Sequence, residues 1–483
     1  MSRADVRRPA REWAVVCALA VVAAAATFAG SELWNALSVD DVGMWPWVAM
    51  CAVTLSCIAP VVILKRRGRR LDLFHPLVVF AAMWFFAYVV PGFSLLSGHD
   101  TVWGVFQDAA YGHRESLVAR SLFLSALAAI FVQLGFFAPR PRIRDSVAAP
   151  PLLDEERFRV ARRFLTVLAI AGAMALMLKI GGFRALISGL NDRVRLFAGL
   201  NYLGMPALSL LGVSLLWYEQ QLRSGKKTTP SFWVFVAFAS GLNVIGGSRT
   251  NLLGFIVAML VLRHYLRKNV SVAGAVIAAV LLVSTGLFYE LYFREYLVAK
   301  AITSIDLSQN FSVLAPILWD RFSSGAFLQL QTMMLIVGGI PSRMPWLNGR
   351  HYLALALMPI PRALFPGKPP VGTQIFSQYF FPDQLAAGTS FPTSMLGEFY
   401  MNFGILGVCI GALLAGWLLR KSYARAVEQD TAVGRLSLHA LVIGTLFPWI
   451  RGDSFGPTVF FAGVAVPLLL TMYYAGRAVR KPQ

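Results

Sequence analysis

The chain has 483 residues, of which 57% are hydrophobic and only 14% charged, against about 25% charged in ordinary soluble domains. With four cysteines and no CxxC pair, this composition excludes a soluble enzyme, a disordered chain and a disulfide scaffold. What remains is an all-α, polytopic integral membrane protein, because apolar runs of ~17–25 residues recur and each can cross a hydrocarbon core.

Twelve spans are predicted in chain order, at 13–31, 45–64, 77–97, 121–137, 164–181, 199–217, 231–247, 251–266, 271–290, 394–419, 436–450 and 456–474. They divide the chain into three parts. Residues 1–290 hold nine spans with short loops, residues 291–392 form a long outer loop with amphipathic helices, and residues 393–483 hold the last three spans. Arg7, Arg8 and Arg11 precede the first run as in a signal peptide. That run continues to about Gly30, however, longer than an ordinary signal-peptide core, and the later loops alternate correctly if it is retained.

The net charge of +20 orients the chain. With the N-terminus inside, 29 of the 44 Lys and Arg residues fall on inner segments, as the positive-inside rule requires. Both termini are therefore expected in the cytoplasm, and nucleic acid is not implied. Cys17, Cys51, Cys57 and Cys409 all fall in predicted spans, as lipid-facing or packing residues. There is no phosphate-binding glycine loop, and Gly367-Lys368-Pro369-Pro370 cannot form one. Their absence argues against an ATP-driven pump or a synthase with a cytosolic nucleotide donor.

Within the long outer segment, residues 311–337 read as an amphipathic helix, with Leu314, Ile317, Leu318 and Phe322 at helical spacing. It is expected to lie in the interface or to cap the bundle. Residues 338–392 are rich in Pro and Gly, an irregular but stiff stretch. Residues 181–199 read as a second interfacial helix carrying Arg184, Asp192, Arg193 and Arg195.

Outward cations are informative because topology selects against them. The turn Gly246-Gly247-Ser248-Arg249-Thr250-Asn251 places Arg249 at a helix N-terminus, where free N–H groups favour anions; it also suits an arginine snorkelling to lipid phosphate. Arg362 and Lys368 stand in the proline-stiffened stretch from Pro359 to Pro370. There they could grip phosphate or line a rigid linker. Ser394, Glu398 and Asn402 share a face at i, i+4 spacing near an outer boundary. A carboxylate there is a functional candidate, or the buried partner of an arginine. Gly404, Gly407 and Gly411 suit close packing. Arg193 and Arg195 follow Asn191-Asp192, and Arg451 precedes Asp453 in a turn; each is a ligand contact or a local ion pair. His351, beside Tyr352, is a candidate base or an incidental loop histidine, and His439 is a satisfied residue of the bundle.

These motifs, in this order, resemble the O-antigen polymerases, the Wzy-type oligosaccharide repeat-unit polymerases. They are the outer helix at 181–193, the Ser248-Arg249-Thr250 turn, the stretch 361–369, and Gly-Glu-x-Tyr-x-Asn-Phe-Gly at 397–404. Arg193 and Gly204 also fit the Arg-x10-Gly pattern of some members, although no second copy occurs in the long loop.

The resemblance implies a GT-C-like membrane glycosyltransferase with no cofactor and no metal. It would act at the periplasmic face of a bacterial inner membrane, in lipopolysaccharide or related surface polysaccharide synthesis. The growing glycan leaves its undecaprenyl-pyrophosphate carrier for the terminal sugar of a fresh lipid-linked repeat unit, so donor and acceptor are both lipid-linked. A chain-length regulator is an expected partner. Such chemistry needs pyrophosphate stabilisation and a base. No outer acidic cluster suggests a metal, so the electrostatic work falls to Arg193, Arg249, Arg362, Lys368 and Arg451. Tyr400 and Asn402 join them as substrate contacts, Glu398 is the first candidate for the base and His351 the second. Alternatives are an O-antigen ligase acting on lipid A-core, which would depend on a loop histidine, and a lipid-linked glycan flippase or secondary transporter. A transporter would place ionisable residues at mid-bilayer, where this chain has almost none.

Overall fold

The computed structural model describes residues 43–66, 72–98, 106, 113–138, 152–188, 196–197, 199–245, 249–267, 327–360, 364–429 and 432–476, with isolated positions between 270 and 284. The described residues are helical and contain no strand. Six helices are long and apolar enough to cross a membrane: Trp45–Arg66, Pro76–Leu96, Arg114–Phe137, Glu155–Ile180, Ser394–Glu428 and Phe455–Gly476. The helices Asn201–Arg223, Pro230–Ile245 and Arg435–Arg451 and the shorter apolar Thr250–Leu266 occupy four more of the expected positions. The first expected span and most of the ninth lie outside the described residues.

Local chemistry sets the helix ends. Asp154 accepts the Arg157 N–H at 2.8 Å and so caps helix 155–180, satisfying one of the donors a helix start leaves open. Glu219, fully buried, accepts at one carboxylate oxygen the N–H groups of Gly434 and Ser437, at 2.9 and 3.0 Å, and the Ser437 hydroxyl at 2.6 Å. Its other oxygen takes Arg223 Nε at 2.9 Å. A carboxylate thus closes the start of helix 435–451, where the helix dipole favours negative charge.

The helices pack closely through small residues. A Cβ at Gly135 would overlap the Leu413 carbonyl, and one at Gly416 would overlap that of Val132. Helices 114–137 and 405–423 therefore run backbone to backbone, as small residues permit between membrane helices.

The bundle has two distinct poles. At one, Asp72 binds His264 Nε2 at 3.1 Å and the Tyr265 hydroxyl at 2.7 Å, while the Asp154 N–H reaches the Ala475 carbonyl at 3.0 Å. The helix ends carrying Lys65, Arg66, Arg223, Arg263, Arg420 and Lys421 belong to this pole. At the other, Arg114 binds the Leu95 carbonyl at 2.6 Å and the Tyr88 hydroxyl donates to Ser394 Oγ at 3.2 Å.

Two expectations need correction at the second pole. Leu314, Ile317, Leu318 and Phe322, which carried the amphipathic reading, lie outside the described residues, while the described part of the stretch is buried in the bundle rather than laid along its surface. Helix Gln329–Gly339 is buried on nearly all sides, against helix 114–137 and the start of helix 394–423. Its run Met333-Met334-Leu335-Ile336-Val337 is apolar all round, and such a helix belongs inside.

The second correction concerns residues 394–419, read as one span. The helix breaks at Phe403 and Gly404, where Gly404 takes φ +60° and ψ −144°, a conformation that suits glycine. Gly407 and Gly411 then receive Phe399 from the same element rather than a neighbouring helix: a Cβ at Gly407 would overlap the Phe399 carbonyl, and one at Gly411 would stand 2.6 Å from its ring. The short segment 394–402 folds sharply against the long one, and it carries Glu398.

Candidate functional site

Segment 394–402 is held at its start by Ser394, whose Oγ accepts the Gly397 N–H at 3.0 Å. One turn later the i, i+4 spacing brings Glu398 and Asn402 to the same side, and both are fully buried. His351 reaches them from the loop. Its Nε2 lies 3.0 Å from Glu398 Oε1, and its Nδ1 lies 3.2 Å from Asn402 Oδ1.

The hydrogen-bond partners fix the protons. Asn402 Oδ1 also accepts the Gly349 N–H at 2.8 Å, and Asn402 Nδ2 donates to the Glu398 carbonyl at 2.6 Å. Oδ1 is therefore the acceptor, so His351 Nδ1 carries hydrogen. A second proton lies between Nε2 and Oε1, since two lone pairs would otherwise oppose each other.

A third element closes the group. The turn between helices 435–451 and 455–476 supplies Ser454, whose N–H donates to Glu398 Oε2 at 2.9 Å and whose hydroxyl donates to the same oxygen. Asp453 beside it is saturated. Its Oδ2 accepts the Thr373 N–H and hydroxyl at 3.1 and 2.9 Å, and its Oδ1 accepts the N–H groups of Phe455 and Gly456 at 3.2 and 3.3 Å. Asp453 thus clips helix Gly372–Phe380 to the start of helix 455–476. Gly372 stands in the crowded centre, where a Cβ would lie 3.0 Å from Glu398 Oε1 and 3.5 Å from His351 Cδ2.

The ring of Tyr352 lies 4.0 Å from that of His351, centroid to centroid. Burial first, then the charge of Glu398, push the Tyr352 phenol above its ordinary range.

Of the residues singled out from the sequence, His351, Glu398 and Asn402 meet directly. Lys368 is buried beside them, its Nζ 5.3 Å over the ring of Phe455, the residue after Ser454. Arg451 ends helix 435–451, three residues before Ser454. Tyr400 is turned away from Glu398, its ring 5.5 Å from that of Trp346 and with Arg120 as an electrostatic neighbour. Arg249 opens helix 249–266, and its side chain is not described. Arg193, Arg195 and Arg362 lie outside the described residues.

Sequence reasoning missed Ser454, Gly349 and Thr373, which join the site only through contacts 53 to 80 residues apart, and Gly372, which packs against Glu398 and His351. Arg120, at the end of the outer segment before the span at 121–137, was not singled out. Asp453, read as a partner for Arg451, has its acceptor positions filled by Thr373 and the following helix.

The fold and this cluster define a multi-pass helical membrane protein with a buried, hydrogen-bonded His–Glu pair at one pole of its bundle. The family model described as O-antigen polysaccharide polymerase Wzy matches residues 213–476. That is more than half of the chain and includes every residue of the cluster, so the chain belongs to this family and to polysaccharide biosynthesis. No curated protein and no solved structure matches it.

Proposed function

We propose that the protein polymerises undecaprenyl-pyrophosphate-linked oligosaccharide repeat units into O-antigen or a related surface polysaccharide, at the outer leaflet of the bacterial inner membrane. In this reading it is a metal-independent glycosyltransferase of GT-C-like architecture, with twelve spans and both termini in the cytoplasm. The pole rich in Lys and Arg faces the cytoplasm, as positive charge favours, and the His351–Glu398 pole faces the periplasm. The three-part division at residues 290 and 392 belongs to the same reading, with a chain-length regulator as a further partner.

Glu398 serves as the base for the acceptor hydroxyl, and His351 supports its carboxylate from the opposite oxygen. Lys368 and Arg451, with Arg193, Arg249 and Arg362, hold the pyrophosphate, while Asn402 positions His351. Tyr400 contacts glycan beside Arg120. The observation that carries this reading is the convergence of three chain segments on Glu398: the loop through His351, the turn through Ser454, and its own short helix. A proton acceptor held at both oxygens is a preorganised one.

The test uses purified protein in nanodiscs with a lipid-linked repeat unit and no nucleotide or added metal, the products being resolved on a gel. A ladder of longer lipid-linked glycans is expected. Absence of a ladder from folded protein, with transfer to added lipid A-core instead, would replace this reading with that of a ligase.

A further inference from the structure

The base proposed above has no open face. Glu398 is fully buried and His351 is 3% exposed. Oε1 is turned to His351 Nε2 and Oε2 to Ser454. Both His351 nitrogens are committed, one to Glu398 and one to Asn402, and Asn402 is buried as well. Of the described side chains hydrogen-bonded in this group, only that of Ser454 belongs to a residue that is partly exposed. Ser454 is thus the residue of this group with surface left to meet a sugar hydroxyl, while both carboxylate oxygens belong to a fully buried side chain.

We propose that Ser454 is the proton relay of the site, carrying the acceptor hydroxyl's proton to Glu398. The inference rests on the polymerase reading and adds to it the path by which a buried base works. A serine hydroxyl donates one hydrogen and accepts at two lone pairs. Ser454 spends its hydrogen on Glu398 Oε2 and so offers lone pairs to an incoming hydroxyl.

In the transfer step, the acceptor sugar oxygen forms its bond to the anomeric carbon of the donor glycan. Its proton passes to Ser454 Oγ as the Ser454 hydroxyl proton passes to Oε2. The bond from the anomeric carbon to the pyrophosphate oxygen breaks, and its electron pair leaves with the lipid pyrophosphate. Oε2 is the oxygen that can take this proton, because one already lies between Oε1 and His351.

The geometry also separates a relay from a mere prop. Ser454 holds Oε2 twice, and the backbone N–H, 2.9 Å away, survives substitution by alanine or threonine. Ser454→Ala therefore keeps the carboxylate in place and removes only the relay oxygen, whereas Ser454→Thr keeps that oxygen.

The experiment measures chain growth on lipid-linked repeat units by wild type, Ser454→Ala and Ser454→Thr in nanodiscs, with thermal melting of each as the check on folding. Ser454→Ala is expected to lose about 100-fold in kcat, within the range of general acid–base effects, with little change in KM and wild-type melting. Ser454→Thr is expected to retain most of the activity. In mixtures of light and heavy water, the wild-type rate should show a curved dependence on deuterium content, from two protons moving together. Normal growth by Ser454→Ala, or equal defects in Ala and Thr variants with normal melting, would overturn the relay alone. No ladder from the wild-type protein would overturn the polymerase reading, and the relay with it.

Discussion

Glu219 and Glu398 are both fully buried carboxylates near the ends of membrane helices, yet their surroundings differ in kind. Glu219 is sealed by the start of helix 435–451 and by Arg223, four donors in all, at the pole where basic residues gather. Every one of these partners is explained by helix capping and charge pairing. Glu398 meets an imidazole that is itself oriented by an amide, and a serine that is partly exposed. Burial of a carboxylate is thus no sign of function by itself. What separates the two is the kind of partner: Glu219 meets capping N–H groups, a buried hydroxyl and an arginine that keeps its proton, whereas Glu398 lies between an imidazole and a partly exposed hydroxyl, groups that can pass protons.

The comparison can be broken most forcefully at Glu219. Glu219→Ala strips the buried partner from Arg223 and from the cap of helix 435–451. Loss of one member of such a buried pair typically costs about 3–5 kcal/mol, and it should appear as a lower melting temperature and poor yield. A second stability test lies at the helix contact remote from both carboxylates. Gly416→Ala drives a Cβ into the Val132 carbonyl and should destabilise by about 1–3 kcal/mol, read by the same melting.

Smaller changes sharpen the contrast at the other pole. Gly372→Ala puts a methyl 3.0 Å from Glu398 Oε1, close enough to shift the carboxylate by a few tenths of an ångström. Chain growth should fall about tenfold, since misplacement by a full ångström can cost a hundredfold, while melting stays near that of wild type.

The smallest effect is expected at Asp72. Burial raises its carboxyl pKa, but hydrogen bonds from His264, Tyr265 and the Phe74 N–H, together with the His264 charge, bring it below the ordinary carboxylate value. A depressed carboxyl contributes stability that is present above its unfolded pKa of about 4 and is lost as pH falls through the lower folded value. Wild type should therefore lose melting temperature more steeply than Asp72→Asn on acidification below about pH 4, with chain growth at neutral pH alike in both.

Much of the architecture was legible because hydropathy and charge act locally. Helices stand where ten of the twelve expected spans were read, and the basic helix ends gather at one pole. Glu398 and Asn402 were legible as a pair because helical spacing alone puts them on one face, and His351 because it stands in the long outer loop beside Tyr352. Ser454 was not, since a serine in a turn carries no signal until the fold brings it 56 positions back to Glu398. The buried helix 329–339 was misread for a different reason. Its spacing was taken together with residues before it as one amphipathic stretch, whereas its run Met333–Val337 is apolar all round and its Gln329, Gln331 and Thr332 are buried with it. The break at Gly404 was hidden because glycines in a membrane helix suit close packing as well as a sharp bend.

The central claim is that the Glu398 pole is where glycan is transferred. Its most direct test is the chain-growth ladder of Glu398→Gln beside that of wild type in nanodiscs, with melting of both proteins recorded. Glutamine keeps the side-chain shape and loses the proton acceptor, so the variant should insert and fold but extend no chain. Polymer of normal length from Glu398→Gln would contradict the account.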